Sequence, residues 1–178
     1  MTTRAGAVAM LVLGLAATGA MAQETVDAVA EHDNWSVFEA DNPRQCFIAS
    51  KAAETQIMQN GKPAKANREE PVLNVVVTPG PPASTIVSVD LGFPPDRAKD
   101  ITLKIGDVSY NLLPGVEAER EWAWTRPEHD TAAIDAMRSG SVASVVSESL
   151  TKKTFTDSFS LVGFTAALGD AAARCAPQ

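Results

Sequence analysis

Histidine, cysteine and tyrosine are scarce in this sequence, which limits the kinds of active site it can build. The 178 residues include two histidines, two cysteines and one tyrosine. The motifs C-x-x-C and G-x-S-x-G, glycine-rich phosphate loops and metal-spaced groups of His or Cys are absent. Those motifs supply thiol exchange, acyl transfer, phosphate binding and metal ligation. Their absence excludes the common forms of such sites, and we expect neither a metal nor another cofactor.

Basic residues are also in deficit. Fifteen Lys and Arg face 22 Asp and Glu, so the formal net charge is −7 at pH 7. Proteins that bind nucleic acid or anionic lipid neutralise phosphates with basic side chains. The charge balance therefore predicts no nucleic-acid partner. The length suits one domain with a core of its own.

The N-terminus has the layout of a secretory signal peptide. It reads MTTRAGAVAMLVLGLAATGAMAQE, in which Arg4 precedes a short apolar run that ends at Ala20-Met21-Ala22, a small-x-small cleavage pattern. We predict a signal peptide over residues 1–22 and a single β domain over 23–178; an uncleaved anchor is the alternative. No later apolar run is long enough for a membrane span of about 20 residues. We expect a periplasmic or secreted protein that does not span the membrane once cleaved.

Cys46 and Cys175 are the two cysteines, and they lie near opposite ends of the predicted mature chain. Two cysteines in an exported protein are most simply interpreted as one disulfide. Such a bridge closes a loop of about 130 residues, for which the chain-entropy model gives roughly 5 kcal/mol. A reactive cysteine and two free buried thiols are the competing interpretations.

The middle of the chain consists of short alternating or apolar segments separated by Gly, Pro and Asn turn signals. This pattern is typical of antiparallel strands. We predict strands near residues 35–37, 46–48, 72–77, 86–91, 101–105, 108–112, 116–124, 142–146 and 155–161. Residues 51–70 are polar and predict a long loop or weak hairpin. The fold class is mainly β, a single-domain β-sandwich or small barrel.

Two helices complete the prediction. The first lies near residues 130–138, where Asp130 is positioned to cap the start and Gly140 to end the helix. The second lies near 164–174, because apolar residues after Gly163 recur at intervals of four and three. Its stripe ends in Cys175. The predicted disulfide to Cys46 would therefore hold this helix against an early strand.

Few side chains are candidates for a site. Trp122 and Trp124 lie on the apolar face of the predicted strand 116–124, which favours the core, but two such rings are also candidate ligand contacts. An enzymatic site would have to assemble from distant residues such as Asp107, His129 and Asp157. The basic residues of the polar segment are interpreted as a solvated patch: Lys62, Lys65 and Arg68.

The closing pattern TDSFSLVGFTAAL, preceded by IDAMRSG and by an early W-x-V with a nearby cysteine, resembles the invasion-associated locus B family. The similarity is best over the last fifty or so residues. It implies an exported bacterial protein and supplies no catalytic residue. The resemblance and the missing catalytic motifs together favour a non-enzymatic protein that binds an envelope or host-surface partner. A periplasmic enzyme and a small-ligand-binding protein are the alternatives.

Overall fold

The computed structural model describes residues 27–41, 44–80 and 83–176. The predicted signal peptide over 1–22 and its cleavage site lie outside the described residues, and their assignment stays a prediction. The described ranges contain every other predicted strand and helix.

The twelve strands within these ranges form one antiparallel sheet that bends into an unclosed sandwich, so the mainly β prediction is confirmed. Their order across the sheet is β1-β2-β3-β6-β7-β10-β9-β8-β11-β12-β4-β5. The strands are β1 Ala30–His32, β2 Trp35–Ala40, β3 Gln45–Lys51, β4 Glu54–Gln59, β5 Lys62–Pro63, β6 Val72–Thr78, β7 Ser84–Asp90, β8 Ile101–Ile105, β9 Val108–Pro114, β10 Trp122–Trp124, β11 Val142–Glu148 and β12 Lys153–Ser160.

Two α-helices pack on the sheet, α1 over Asp130–Ser139 and α2 over Phe164–Arg174, and both confirm the predicted positions. Short 3₁₀ turns occupy Glu117–Glu119 and Pro127–His129. Trp35 of β2 and Phe164 of α2 meet edge to face in the core, with ring centroids 5.1 Å apart. The core is thus shared between the sheet and the stripe of α2.

The strand alternation explains most of the core. On β2, Trp35 and Val37 are buried, and on β12 Phe155 and Phe159 are buried, as a period of two requires. The predicted hairpin of β8 and β9 is confirmed, with Ile105 paired to Val108. The polar segment 51–70 contains the hairpin of β4 and β5. The strand β4 pairs more extensively with β12, over six positions, than with β5.

The prediction of one strand over 116–124 is wrong apart from its last three residues. Gly115 lies so close to the following turn that an added Cβ would be 2.0 Å from the carbonyl oxygen of Glu119. Glu117 has a φ of 50°, which an extended strand does not allow. The alternation of glutamates therefore belongs to a tight 3₁₀ turn. On β10 the core-facing residue is Ala123, and the tryptophans on either side are half-buried.

Gly163 lies where the strand period of β12 changes to the helix period of α2. Its φ is 90°, and an added Cβ would lie 2.0 Å from the carbonyl oxygen of His32. Gly163→Ala is expected to lower the free energy of unfolding by about 2–3 kcal/mol, because strain and overlap arise together.

Gly169 provides the matched control within the same helix. Nothing lies within 4 Å of its added Cβ, so Gly169→Ala is expected to stabilise by about 0.5–1 kcal/mol through helix propensity. Urea unfolding monitored by tryptophan fluorescence measures both changes. Equal midpoints for Gly163→Ala and the parent chain would contradict the close approach to His32.

Candidate functional site

A groove of about 590 Å³ opens where β10 ends. After Trp124 the chain leaves the sheet at Thr125 and turns into the 3₁₀ segment and α1, so β10 covers only part of its neighbours β7 and β9. The groove occupies this part of the sheet. It is lined by Ala83, Ser84, Thr85, Ile86, Leu113, Trp124, Thr125, Pro127, Asp130 and Thr131.

The rim of the groove is apolar. Ile86 of β7 and Leu113 of β9 are each 38% exposed, and both line the groove. Large apolar side chains that stay in contact with water around a concavity are a common feature of binding sites. The groove is therefore the strongest candidate site among the described residues.

The two tryptophans proposed as ligand contacts differ in their position relative to the groove. Trp124 lines the groove, whereas Trp122 does not. Their rings stack with centroids 6.2 Å apart and planes at 21°. Since Ala123 takes the buried position between them, the prediction that both rings face the core is wrong. Contact of Trp124 with a ligand stays a prediction, and Trp122 would support its neighbour rather than reach the groove.

Asp130 forms part of the groove lining and is 8% exposed. Its Oδ1 accepts a hydrogen bond from the main-chain N–H of Val87 at 3.1 Å, and it also lies within hydrogen-bond reach of the Thr125 hydroxyl. The predicted helix cap is therefore wrong: Asp130 is the first residue of α1, and its carboxylate satisfies β7 instead of the helix. The Asp130 carboxylate can bind the Val87 N–H because β10 ends at Trp124 and supplies no acceptor for that N–H.

The three residues of the proposed distant enzymatic site have different surroundings. Asp107 lies in the turn between β8 and β9, and Asp157 lies buried on β12. His129 precedes α1, with its ring centroid 6.0 Å from that of Tyr110. Within the described ranges, no hydrogen bond joins any two of these side chains. The structure does not bring this trio together.

Arg68 and Asp157 form a buried ion pair that the sequence analysis missed. Their side chains are 7% and 0% exposed. The Arg68 guanidinium donates to both carboxylate oxygens and, at 2.8 Å, to the carbonyl oxygen of Leu91. Thr55 donates to the same carboxylate at 2.7 Å. The interpretation of Arg68 as part of a solvated patch is wrong, because its side chain is buried against Asp157.

Two aromatic rings complete the surroundings of Arg68. Its guanidinium carbon lies 4.7 Å from the ring centroid of Phe155 and 5.6 Å from that of Phe93. Both distances fit cation–π contacts. The sequence held one signal for this arrangement, since Asp157 interrupts the apolar face formed by Phe155 and Phe159. It held no signal that named Arg68 as the partner.

Cys46 of β3 and Cys175 after α2 lie at disulfide distance, with Cα atoms 5.9 Å apart. Arg174, the last residue of α2, donates to Glu39 at 2.8 Å and to Asp170 at 2.7 Å. His32 contacts the other oxygen of Asp170 at 3.0 Å. The hydrogen bonds from His32 and then Arg174 hold the pKa of Asp170 below its usual value. These contacts attach α2 to the first strands and are structural.

Ser149 and Lys152 stand at the S-x-x-K spacing found in some acyl-transfer enzymes. Lys152 Nζ pairs with Asp96 at 2.5 Å and with Glu148 at 3.5 Å, while the Ser149 hydroxyl contacts Thr151 at 3.0 Å. The acidic partners raise the pKa of Lys152. An ammonium that is held protonated is a poor base, so this pair is interpreted as a turn-stabilising arrangement.

Metal-ligand clusters and membrane-spanning helices are both absent among the described residues. The described residues contain no group of three or more His, Cys, Asp and Glu arranged to hold a metal ion. None of their helices is both long and apolar enough to cross a membrane. The fold is an antiparallel, unclosed β-sandwich with a C-terminal helix packed on its first strands and an apolar-rimmed groove beside the short strand β10.

Residues 40–172 match the family model described as Invasion associated locus B (IalB) protein. This match covers well over half of the sequence, and the chain belongs to that family. It is also similar to the crystal structure of invasion associated protein B from Bartonella henselae, with 14% identity and a TM-score of 0.57. The alignment covers 82% of this chain and 96% of that one, which shows a shared fold. No curated protein matches this chain.

Proposed function

We propose that this chain is an exported, non-enzymatic protein that binds an envelope or host-surface partner through the groove at the end of β10. The observation that carries the proposal is the apolar rim. Ile86 on β7 and Leu113 on β9 are each 38% exposed, and Trp124 lines the same groove from β10, the strand between them. Burying such side chains against a partner contributes about 25 cal/mol per Å² of apolar surface, which favours binding at this place.

Export is the second part of the proposal. The signal-peptide pattern over residues 1–22, the family and the pairing of Cys46 with Cys175 support a periplasmic or secreted location for one β domain that begins at residue 23. Disulfides persist in oxidising compartments outside the cytoplasm. The net negative charge favours a partner other than nucleic acid.

A small-ligand-binding function is the second candidate. The groove volume of about 590 Å³ lies within the roughly 300–1,000 Å³ common for small-molecule sites. A half-exposed tryptophan ring beside hydroxyl groups also suits a ligand with an apolar face and polar edges. Both candidate functions use the same groove, so substitutions at its rim test partner binding and small-ligand binding alike.

The test compares capture by the oxidised, exported chain with capture by a variant carrying Ile86→Thr and Leu113→Thr. Threonine keeps the strand propensity and removes most of the exposed apolar surface. Val108→Thr is the matched control, because Val108 is 48% exposed on the same strand as Leu113 and lies outside the groove lining.

We expect the parent chain and Val108→Thr to capture the same partner from envelope extract. The double variant should retain at most about a tenth of it, which corresponds to about 1.4 kcal/mol. Quantitative mass spectrometry of the eluates measures the difference. Equal capture by the double variant, or turnover in a hydrolase substrate screen without any rim-dependent capture, would contradict the proposal.

A further inference from the structure

We propose that the groove takes an extended polypeptide segment of the partner, which adds a strand to the open edge of β7 beyond the end of β10. This inference rests on the proposed function, because it specifies the chemistry of the occupant of the same groove. The occupant is a neutral or basic segment with apolar side chains, bound through its main chain.

The main-chain N–H and C=O groups of β7 point alternately to its two neighbouring strands. In a strand, the N–H and C=O of one residue point to the same neighbour, and successive residues alternate between neighbours. Leu91 N–H donates to Glu121 O at 2.9 Å, and Val87 O accepts from Thr125 N–H at 3.0 Å. The odd-numbered residues of β7 therefore face β10, and the even-numbered ones face β6.

Thr85 is the odd-numbered residue of β7 that precedes Val87. The strand β10 pairs with β7 only from Ser88 to Asp90, so no residue of β10 lies opposite Thr85. The Val87 N–H is satisfied by the Asp130 carboxylate. The N–H and C=O of Thr85 must point to the same side, where no described residue forms a hydrogen bond with either of them. Thr85 also lines the groove. Within the described part of the chain, the N–H and C=O of Thr85 thus have no hydrogen-bond partner beyond the end of β10.

The described residues of β7 at this edge include none of the usual barriers to strand addition. Edge strands are commonly blunted by lysines, prolines or bulges. The described residues of β7 that precede Val87 are Ser84, Thr85 and Ile86, which carry no charge. An added strand would place alternate side chains over the rim formed by Ile86 and Leu113, so main-chain pairing and apolar burial occur together.

Charge selects among the peptides that could bind. Among the described residues that line the groove, Asp130 alone is charged, and the whole chain has a formal net charge of −7. An acidic segment would be repelled, and a basic or neutral one would not be. A carbohydrate or another small ligand could fill the apolar space, but it would not need paired N–H and C=O groups at the spacing of a strand.

The probe is a random dodecapeptide phage library selected on the oxidised chain. Synthetic copies of the selected peptides are then measured by fluorescence anisotropy on the parent chain, on Thr85→Pro and on Thr85→Ala. Proline removes the main-chain N–H that faces the groove and is tolerated at strand edges. Alanine keeps that N–H and removes only the side chain, so it is the matched control. Melting curves verify that both variants fold.

We expect selected peptides to bind Thr85→Ala like the parent chain and Thr85→Pro at least about tenfold more weakly, which is the effect of about one lost hydrogen bond. An N-methyl scan of the peptide should weaken binding most at the one position whose N–H donates to the Thr85 carbonyl oxygen. The Thr85 amide should become protected from hydrogen exchange on binding, a measurement that does not depend on any variant.

Three results would overturn the inference: no peptide selected above background, equal binding to Thr85→Pro, or an N-methyl scan in which no position weakens binding. The proposed function has a separate outcome. If the rim variants lose their captured partner while no peptide shows strand pairing, the groove is a binding site for another chemistry. If peptides pair with Thr85 but the rim variants capture the partner as well as the parent chain does, the proposed function is wrong. Strand addition at Thr85 would then still hold.

Discussion

Asp157→Ala is expected to lower the free energy of unfolding by about 3–5 kcal/mol, the largest effect of any single substitution considered for this protein. The carboxylate is fully buried, and removing it leaves the buried Arg68 guanidinium without its anionic partner. An uncompensated buried charge is costly because the protein interior solvates it poorly. Urea unfolding monitored by far-UV circular dichroism measures the change.

The exposed pair Lys51–Glu70 is the matched control for this prediction. Its atoms are 2.7 Å apart, but the side chains are 72% and 55% exposed. Glu70→Ala is therefore expected to cost less than about 1 kcal/mol, since water replaces the lost partner. A loss of similar size for Asp157→Ala and Glu70→Ala would contradict the burial of the Arg68–Asp157 pair.

A double substitution distinguishes the effect of the unpaired charge from the effect of lost packing. Replacing Arg68 by Met and Asp157 by Leu removes both charges and keeps apolar contact with Phe93 and Phe155. We expect this double variant to be markedly more stable than Asp157→Ala, because apolar replacements of whole buried ion pairs are often neutral or favourable. A double variant as unstable as Asp157→Ala would show that packing, not the unpaired charge, causes the loss.

Removing the Cys46–Cys175 bridge is expected to lower the free energy of unfolding by about 2–5 kcal/mol. The cysteines are 129 residues apart in sequence, so the bridge restricts a large part of the unfolded chain. Against a typical domain stability of about 5–15 kcal/mol, this loss is substantial. The variant with Cys46→Ala and Cys175→Ala avoids placing hydroxyl groups in the core, where both residues are buried.

Reducing agent supplies the control for the bridge. The parent chain should lose stability in dithiothreitol, and the double-alanine variant should not respond to it. The attachment of α2 should weaken, but Arg174 still contacts Glu39 and Asp170, so the helix should remain folded on the sheet. Equal stability of the parent chain with and without reductant, together with thiols that alkylate in native protein, would contradict the disulfide.

The strands and helices with clear periods were predictable because their pattern reports local geometry. The period of two placed β8, β9 and β12, and the change of period at Gly163 placed α2 at its observed residues. The segment 116–124 failed for a physical reason. Its glutamates alternate like a strand, but Gly115 lies against Glu119, and hydrogen bonds from Glu119 N–H to Val116 O and from Arg120 N–H to Glu117 O close a 3₁₀ turn. A period of two does not distinguish this turn from a strand.

The candidate site was only partly predictable. Trp124 was a candidate because an aromatic ring at strand spacing is chemically conspicuous, but the groove beside it exists only because β10 ends after three residues. Ile86 and Leu113 look like ordinary strand residues in the sequence. Asp130 looks like a helix cap, and its contact with Val87 joins residues 43 apart in the chain.

The sequence by itself determined the mainly β class, the two helices, the family and the pair of cysteines, because periodicity, motif and composition are properties of neighbouring residues. Only the tertiary structure decided that Arg68 meets Asp157, that Trp124 faces a groove and that Thr85 lies on an open edge. Those three facts depend on which strands lie side by side. Strand order is set by the burial and pairing of segments distant in sequence, and no local pattern encodes it.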